Sequence, residues 1–258
     1  MLYIHENNLL NKISSDYKGH GNVIKAFYEK EYLPVRTALE SLSFTERNKA
    51  SFKKAADIIN SYYSEIESFS RKYSITSQSK FASTFLEEIS TYLFMDIPEI
   101  KSGEFGVFNK KIYAGLKIDK DRRIGLITKD VDFCIGKKVS ISIDGMPSTD
   151  LILPVVAVEV KTYLDATMFG EIKSSSKAIR SASPNSKTYV LMGYKCLADE
   201  HIIAARQDAT LSEMFVLRKN EHSPIDAEVL YLYWKEIVDS INGVIADSEI
   251  VVPGKLLR

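Results

Sequence analysis

The sequence predicts an α/β protein in which a helical N-terminal region precedes a core of order α-β-β-β-α-β, folded around one mixed sheet. Three features carry that expectation. Apolar residues recur three to four positions apart as far as Phe94, the spacing of one helix face. From Gly103 onward the pattern changes to short runs rich in β-branched and aromatic residues. Among these, Leu151 to Val158 contains no polar side chain, the composition of a buried strand.

Each element follows in order. From Asn22 to about Tyr73, the sets Ile24, Phe27, Tyr28 and Ala55, Ile58, Ile59, Tyr62 predict two or three amphipathic helices, broken near Ser41 to Thr45. A further helix is expected from about Ser79 to Phe94, capped by Ser77 or Ser79. Strands are expected over Glu104 to Ile118, Asp130 to Ile143 and Leu151 to Lys161, with Gly145-Met-Pro147 turning the chain before the third. Asp165 caps a helix that stops at Ser183-Pro184-Asn185 and turns Met168, Ile172, Ser175 and Ile179 toward the sheet. Lys187 to Tyr194 reads as a fourth strand, Glu213 to Arg218 as another, and Pro224 to Ile241 as a last helix.

The 258 residues carry 34 Lys or Arg against 34 Asp or Glu, and 45 % are hydrophobic. That balance excludes a disordered tail or a collagen-like repeat, and two cysteines exclude a disulfide scaffold. Cys134 and Cys196 form no CxxC or CxxH, and His5, His20, His201 and His222 stand singly, so no zinc site is legible. No basic and then apolar leader opens the sequence, and its longest apolar run falls short of the roughly 20 residues of a membrane span. A cytoplasmic, reduced protein without membrane contact is expected. A net charge of zero argues at first against nucleic acid. The charge is unevenly spread, however: residues 1–100 carry a net −1, 101–198 a net +6 and 199–258 a net −5.

The basic block contains the most informative residues. Lys129-Asp-Val-Asp-Phe-Cys134 is followed by Leu153-Pro-Val-Val-Ala-Val-Glu-Val-Lys161. Alternate side chains of a strand share a face, so Glu159 and Lys161 project together while Val158 and Val160 point into the opposite layer. If the preceding strand is a neighbour, Asp132 joins them, with Asp130 as the fallback if that strand is bulged. Two carboxylates and an ammonium at the end of an apolar strand suit phosphodiester hydrolysis. The carboxylates hold a hard cation such as Mg²⁺, and the lysine orients or deprotonates the attacking water or steadies the pentavalent charge. Glu-x-Lys alone says little, because Glu171-Ile-Lys173 repeats it on an expected helix. The strand and the upstream aspartate set Glu159 and Lys161 apart from a plain surface ion pair.

With Asp132, Glu159 and Lys161 in the order helix, three strands, helix, strand, the chain resembles the PD-(D/E)XK nuclease superfamily, and within it the type II restriction endonucleases. The resemblance covers about residues 79–195, and Val131 stands where the motif's proline would. It implies a PD-(D/E)XK restriction-endonuclease-like core in which Asp132, Glu159 and the main-chain carbonyl of Val160 bind Mg²⁺, with Mn²⁺ able to substitute, while Lys161 serves the nucleophilic water. The implied activity is hydrolysis of double-stranded DNA at a short recognition sequence, in restriction-modification defence beside a cognate DNA methyltransferase. Cutting both strands implies a homodimer or a pair with a related subunit. On this reading residues 1–76 form a helical region for DNA recognition or dimerisation, and 77–258 the nuclease core with its C-terminal extension. The Glu-Val-Lys-Thr-Tyr stretch is similar to that of restriction enzymes cutting interrupted sites of the CCTNAGC kind, some of which are heterodimers.

Many superfamily members add an acid from the first core helix. With Phe81 set at 0°, Glu88 falls at about −20°, inside the face made by Phe85, Ile89 and Tyr92, and Glu87 at about −120°, outside it. A core-facing carboxylate is costly unless paired or metal-linked, so Glu88 is the expected fourth site residue, with Glu87 or a structural role for Glu88 as the alternatives. Lys110, Lys111, Arg122 and Arg123 lead toward Asp132, and Lys173, Lys177 and Arg180 follow Lys161; these are expected to neutralise the phosphates of a duplex. A structure-specific or repair nuclease and a non-catalytic DNA-binding module are the competing readings. The absence of GxxxxGK[ST] and GxGxxG argues against a nucleotide-phosphate enzyme.

Overall fold

The computed structural model describes residues 2–76, 79–118, 120–142, 148–208 and 210–247. Helices α1 (Ile4–Ser14), α2 (Gly21–Phe27) and α3 (Leu33–Glu40) open the chain, with a π-helical turn over Tyr28–Tyr32 joining the last two, and α4 (Lys49–Lys72) follows. Next come α5 (Ser83–Phe94), α6 (Pro98–Lys101), β1 (Gly106–Phe108), β2 (Ile112–Ile118), β3 (Ile124–Lys129), β4 (Phe133–Ile141) and β5 (Thr149–Leu164). The chain then runs through α7 (Ala166–Ala182), β6 (Lys187–Lys195), α8 (Asp199–Asp208), β7 (Glu213–Val216) and α9 (Ala227–Asp247).

Five strands form one mixed sheet in the order β1-β4-β5-β6-β7, antiparallel from β1 to β5 and parallel from β5 to β7, while β2 and β3 pair as a separate ribbon. The stretch expected as one strand from Glu104 is therefore two, divided where Lys110 adopts a left-handed φ of 62°. Strand β3, which the sequence pattern does not predict, exists only through its pairing with β2. Helix α5 starts at Ser83 rather than near Ser79, because Lys80 takes a φ of 57° that interrupts the helix, and the alternative cap Ser77 lies outside the described residues. The Gly145-Met-Pro147 turn also lies outside them. On α7 the buried face is Phe169, Ile172, Ser176 and Ile179, so Ser176 rather than Ser175 meets the sheet, while Asp165 caps the helix by accepting from the Met168 N–H at 2.9 Å.

Helices cover both faces of the sheet. One continuous buried cluster joins Leu9, Ile24, Phe52 and Phe85 of the helices to Phe133, Val156, Val158 and Leu191 of the sheet and to Tyr233 and Ile237 of α9. On the other face α7 covers Cys134 and Ala157 through Ile179, and Val190 and Met192 through Phe169 and Ile172. Strand β5 thus lies between two apolar layers, as its composition requires.

One irregularity sets the register of that strand. Pro154 has no N–H to give and is tolerated centrally because it sits at a bulge, where the pairing steps from Gly136↔Pro154 to Ile135↔Val156. Gly136 permits the close approach, since a Cβ there would stand 2.3 Å from the Leu153 carbonyl oxygen. Beyond the bulge Phe133 faces Val158, so the next step places Asp132 opposite Glu159. Without the extra residue Asp132 would face Val158, on the wrong side of the sheet.

A buried polar network anchors α1 to α5. No side chain of its own caps α1, and the N–H groups of His5 and Glu6 donate instead to Glu88 Oε2 at 2.7 and 3.3 Å. The hydroxyls of Tyr32 and Tyr92 donate to Glu88 Oε1 at 2.8 and 2.5 Å. Thr84 gives its proton to the Lys80 carbonyl, so it accepts from His5 Nδ1, which leaves Nε2 to accept from the Tyr62 hydroxyl at 2.8 Å. Burial pushes Glu88 up to about 7 against the pull of its four donors, and burial with the charge of Lys12 draws His5 down to about 3.

Three outcomes follow for stability. Gly136→Ala forces a methyl onto backbone and is expected to lower the unfolding free energy in urea by about 2 to 3 kcal/mol; an unchanged midpoint would refute the bulge as described. Glu88→Ala removes the shared acceptor of four donors and should cost on the order of 3 to 5 kcal/mol. Glu88→Gln keeps an acceptor for the two N–H groups and two donors for the hydroxyls, and it isolates the pH dependence. Wild-type Glu88 contributes stability that is full below about 4.5 and lost as pH rises through about 7, whereas His5 contributes stability that is full above about 6.5 and lost as pH falls toward 3. The two slopes oppose each other between those ordinary values. Relative to wild type, Glu88→Gln should therefore gain about 1.4 kcal/mol of stability per pH unit across that window; parallel profiles would contradict the assignment.

Candidate active site

The end of β5 presents Glu159 and Lys161 on one face because Val158 and Val160 are drawn into the buried cluster on the other. Asp132 precedes β4 by one residue and is held there through its carboxylate, whose Oδ2 accepts the Val160 N–H at 2.7 Å. The same oxygen accepts from Lys161 Nζ at 3.0 Å, and that ammonium also donates to Glu159 Oε2 at 3.1 Å. The three residues expected from the sequence therefore meet in one part-buried cluster. Burial raises Glu159 above the usual carboxylate range, and the neighbouring charge of Asp132 adds to it. Burial alone would lower Lys161, but the charges of Asp132 and Glu159 outweigh it and hold the ammonium above its ordinary value.

Glu88 is not part of this cluster. Its place inside the apolar face of α5 is as the helical angles gave it, but its compensation is the N-terminus of α1 and two tyrosines. Glu87, half-buried on the adjacent face of α5, is the acid of this helix that feels the charges of the cluster. It is pushed up to about 7 by burial and then by the charge of Asp132, with Lys80, Lys161 and Lys110 pulling the other way. The sequence favours Glu88 because a core-facing carboxylate needs a partner, and a helix N-terminus folded back from 80 residues upstream is invisible to a helical wheel. Lys80 carries no signal in the sequence, since it reaches this region through a left-handed turn.

The donor set can be tested for a cation. Asp132 and Glu159 are carboxylates that share one ammonium, which shows that a positive charge is accommodated between them, and oxygen donors suit Mg²⁺ rather than zinc or iron. Among the described residues no group of three or more His, Cys, Asp or Glu side chains is arranged to hold a metal. The fit is thus to a two-carboxylate site.

The expected basic residues fall into two groups. Lys110 and Lys111 lie at the β1–β2 junction, where the Lys110 N–H donates to the Val131 carbonyl at 2.7 Å beside Asp132, and Arg122 and Arg123 lie at the β2–β3 turn. Lys173, Lys177 and Arg180 line an open groove on α7 with Pro184 and Thr210. No helix among the described residues is long and apolar enough to cross a membrane.

No curated protein matches the sequence. The fold is similar to that of a solved structure described as the native BbvCI A2B2 tetramer at low resolution, with a TM-score of 0.77, 15 % identity, and 97 % of this chain and 99 % of that one covered. The mixed sheet flanked by helices is therefore a restriction-endonuclease-like core. The family model described as Bpu10I restriction endonuclease matches residues 78–240, which takes in Glu87, Asp132, Glu159 and Lys161. That match spans more than half of the sequence: the chain belongs to the Bpu10I restriction endonuclease family and is a type II site-specific restriction endonuclease.

Proposed function

We propose that Asp132, Glu159 and Lys161 are the centre at which this endonuclease cleaves DNA, and that it does so with Mg²⁺, for which Mn²⁺ substitutes. The observation that carries the reading is the single ammonium shared by two part-buried carboxylates at the end of an otherwise apolar strand. Asp132, Glu159 and the main-chain carbonyl of Val160 would hold the cation, with Glu87 as a third carboxylate in place of Glu88. When bound, Mg²⁺ would neutralise the scissile phosphate and acidify the attacking water. Lys161 keeps its proton between the two carboxylates, so its role is to orient the water and to steady charge that develops on the phosphoryl oxygens, rather than to act as a free base.

Double-stranded DNA at a short recognition sequence is the proposed substrate, and the basic residues Lys110, Lys111, Arg122, Arg123, Lys173, Lys177 and Arg180 are proposed to touch its phosphates. The helical region 1–76 is proposed to supply further recognition or subunit contacts. One centre cuts one strand, so a second subunit, identical or related, is needed for a double-strand break. The tetrameric description of the BbvCI structure supports an assembly of this kind. A cognate DNA methyltransferase would protect the host sequence, and both proteins would act in the cytoplasm.

The test is cleavage of a mixture of duplex DNAs, with Mg²⁺ or with chelator. Discrete fragments are expected with Mg²⁺ alone, and Asp132→Ala and Lys161→Ala should each lower the rate by roughly 10³-fold or more. Both variants are expected to retain DNA binding in Ca²⁺. Unchanged cleavage in either variant would overturn the assigned centre, and cleavage confined to branched or damaged substrates would favour a repair nuclease.

A further inference from the structure

We infer that the β2–β3 ribbon is a DNA-reading arm whose aliphatic face enters the major groove and meets thymine methyl groups. The inference rests on the duplex-DNA reading above.

The ribbon is built like an arm. Its root is fixed, because Ile112 and Ala114 are buried with Val131, Cys134, Ala157 and Ile179 between α7 and the main sheet. Toward its tip burial falls away along the strand, from Ile112 at 0 % to Ile118 at 76 % exposed. The pairs Leu116↔Leu126 and Ile118↔Ile124 bring four aliphatic side chains to one face, of which Leu116 is 53 % and Ile124 38 % exposed. On the other face Lys117 pairs with Gly125, where a Cβ would come within 3.3 Å of the lysine stem. Exposed aliphatic groups gathered in this way are a contact surface for something.

Charge decides what that is. Residues 110–129 carry seven Lys or Arg and two Asp. A ribbon so basic repels a second copy of itself and attracts a polyanion. B-DNA's major groove admits a two-stranded ribbon, and the apolar group displayed on its floor is the C5-methyl of thymine, with phosphates along both walls for groups such as Lys120 and Arg122. Only Asp130 and Val131 separate β3 from Asp132, and the Val131 carbonyl is tied to the Lys110 N–H at 2.7 Å. Seating the arm would thus act directly on the position of the Asp132 carboxylate.

The test uses the full-length protein in Ca²⁺ and a duplex that the wild type cuts in Mg²⁺, prepared with thymidine or with deoxyuridine in its place. Wild-type affinity should fall about fourfold for each buried methyl removed. Ile118→Ser with Ile124→Ser, both at exposed positions, should bind the thymidine duplex more weakly and no longer distinguish the two duplexes, with unchanged salt dependence. Lys120→Ala with Arg122→Ala should still distinguish them but show a shallower salt dependence, by about one unit for each phosphate no longer neutralised. Equal wild-type affinity for the two duplexes, or undiminished discrimination in the isoleucine variant, would overturn the inference while leaving the nuclease assignment intact. A smaller assembly mass for the isoleucine variant with DNA binding unchanged would assign the face to a protein partner and also overturn it. A wild type that neither binds nor cuts duplex DNA would remove the underlying reading, and the inference with it.

Discussion

The step in register at Gly136 governs how this sheet presents its chemistry. A β-strand offers its side chains with a strict period of two, so one extra residue decides whether Asp132 shares a face with Glu159 or with Val158. The bulge is compatible with a central proline because the pairing is irregular at that point, and it is compatible with close packing because Gly136 has no Cβ to meet the Leu153 carbonyl. From that register follow the Val160 N–H bond to Asp132, the shared ammonium of Lys161, and the partial burial that raises Glu159. Apolar layers on both faces of β5 hold the arrangement rigid.

The adjacent acids of α5 show how the same fold assigns different work to neighbouring side chains. Glu88 points into the core and is fully satisfied there by two N–H groups and two hydroxyls, so it fastens α1 to the nuclease core. Glu87 lies within the electrostatic reach of Asp132 and Lys161, and burial and the like charge of Asp132 favour its protonated form. The N-terminal helices share one buried cluster with the sheet, so any contact they make with DNA or a second subunit is mechanically joined to the helix that carries both acids.

Much of this was legible in the sequence, for identifiable reasons. The apolar run before Glu159 and Lys161 has the length and composition of a buried strand, and the strand period places the two charged residues together. The change from helical to strand spacing near residue 103 marked the order of the core. Asp132 was legible as a residue but its face was not, because the bulge depends on a non-local pairing of Gly136 with Pro154. Strand β3 and the break at Lys110 were hidden for the same reason: a ribbon that pairs with itself has no alternation imposed by a core. The inward face of Glu88 was legible, but not whether the site or the fold satisfies it, since two of its four donors are the N–H groups of His5 and Glu6, some 80 positions away. The neutral total charge concealed the basic ribbon and the basic face of α7, which only segment-by-segment counting brought out.

The register, the carboxylate pair and the proposed cation site stand or fall together, and one crystal structure determined with Mn²⁺ addresses all three. An anomalous difference peak is expected at the end of β5, about 2.0 to 2.2 Å from oxygens of both Asp132 and Glu159, with the Lys161 ammonium moved aside. A peak elsewhere, or Asp132 and Glu159 on opposite faces of the sheet, would contradict the assignment of this cluster as the centre of cleavage.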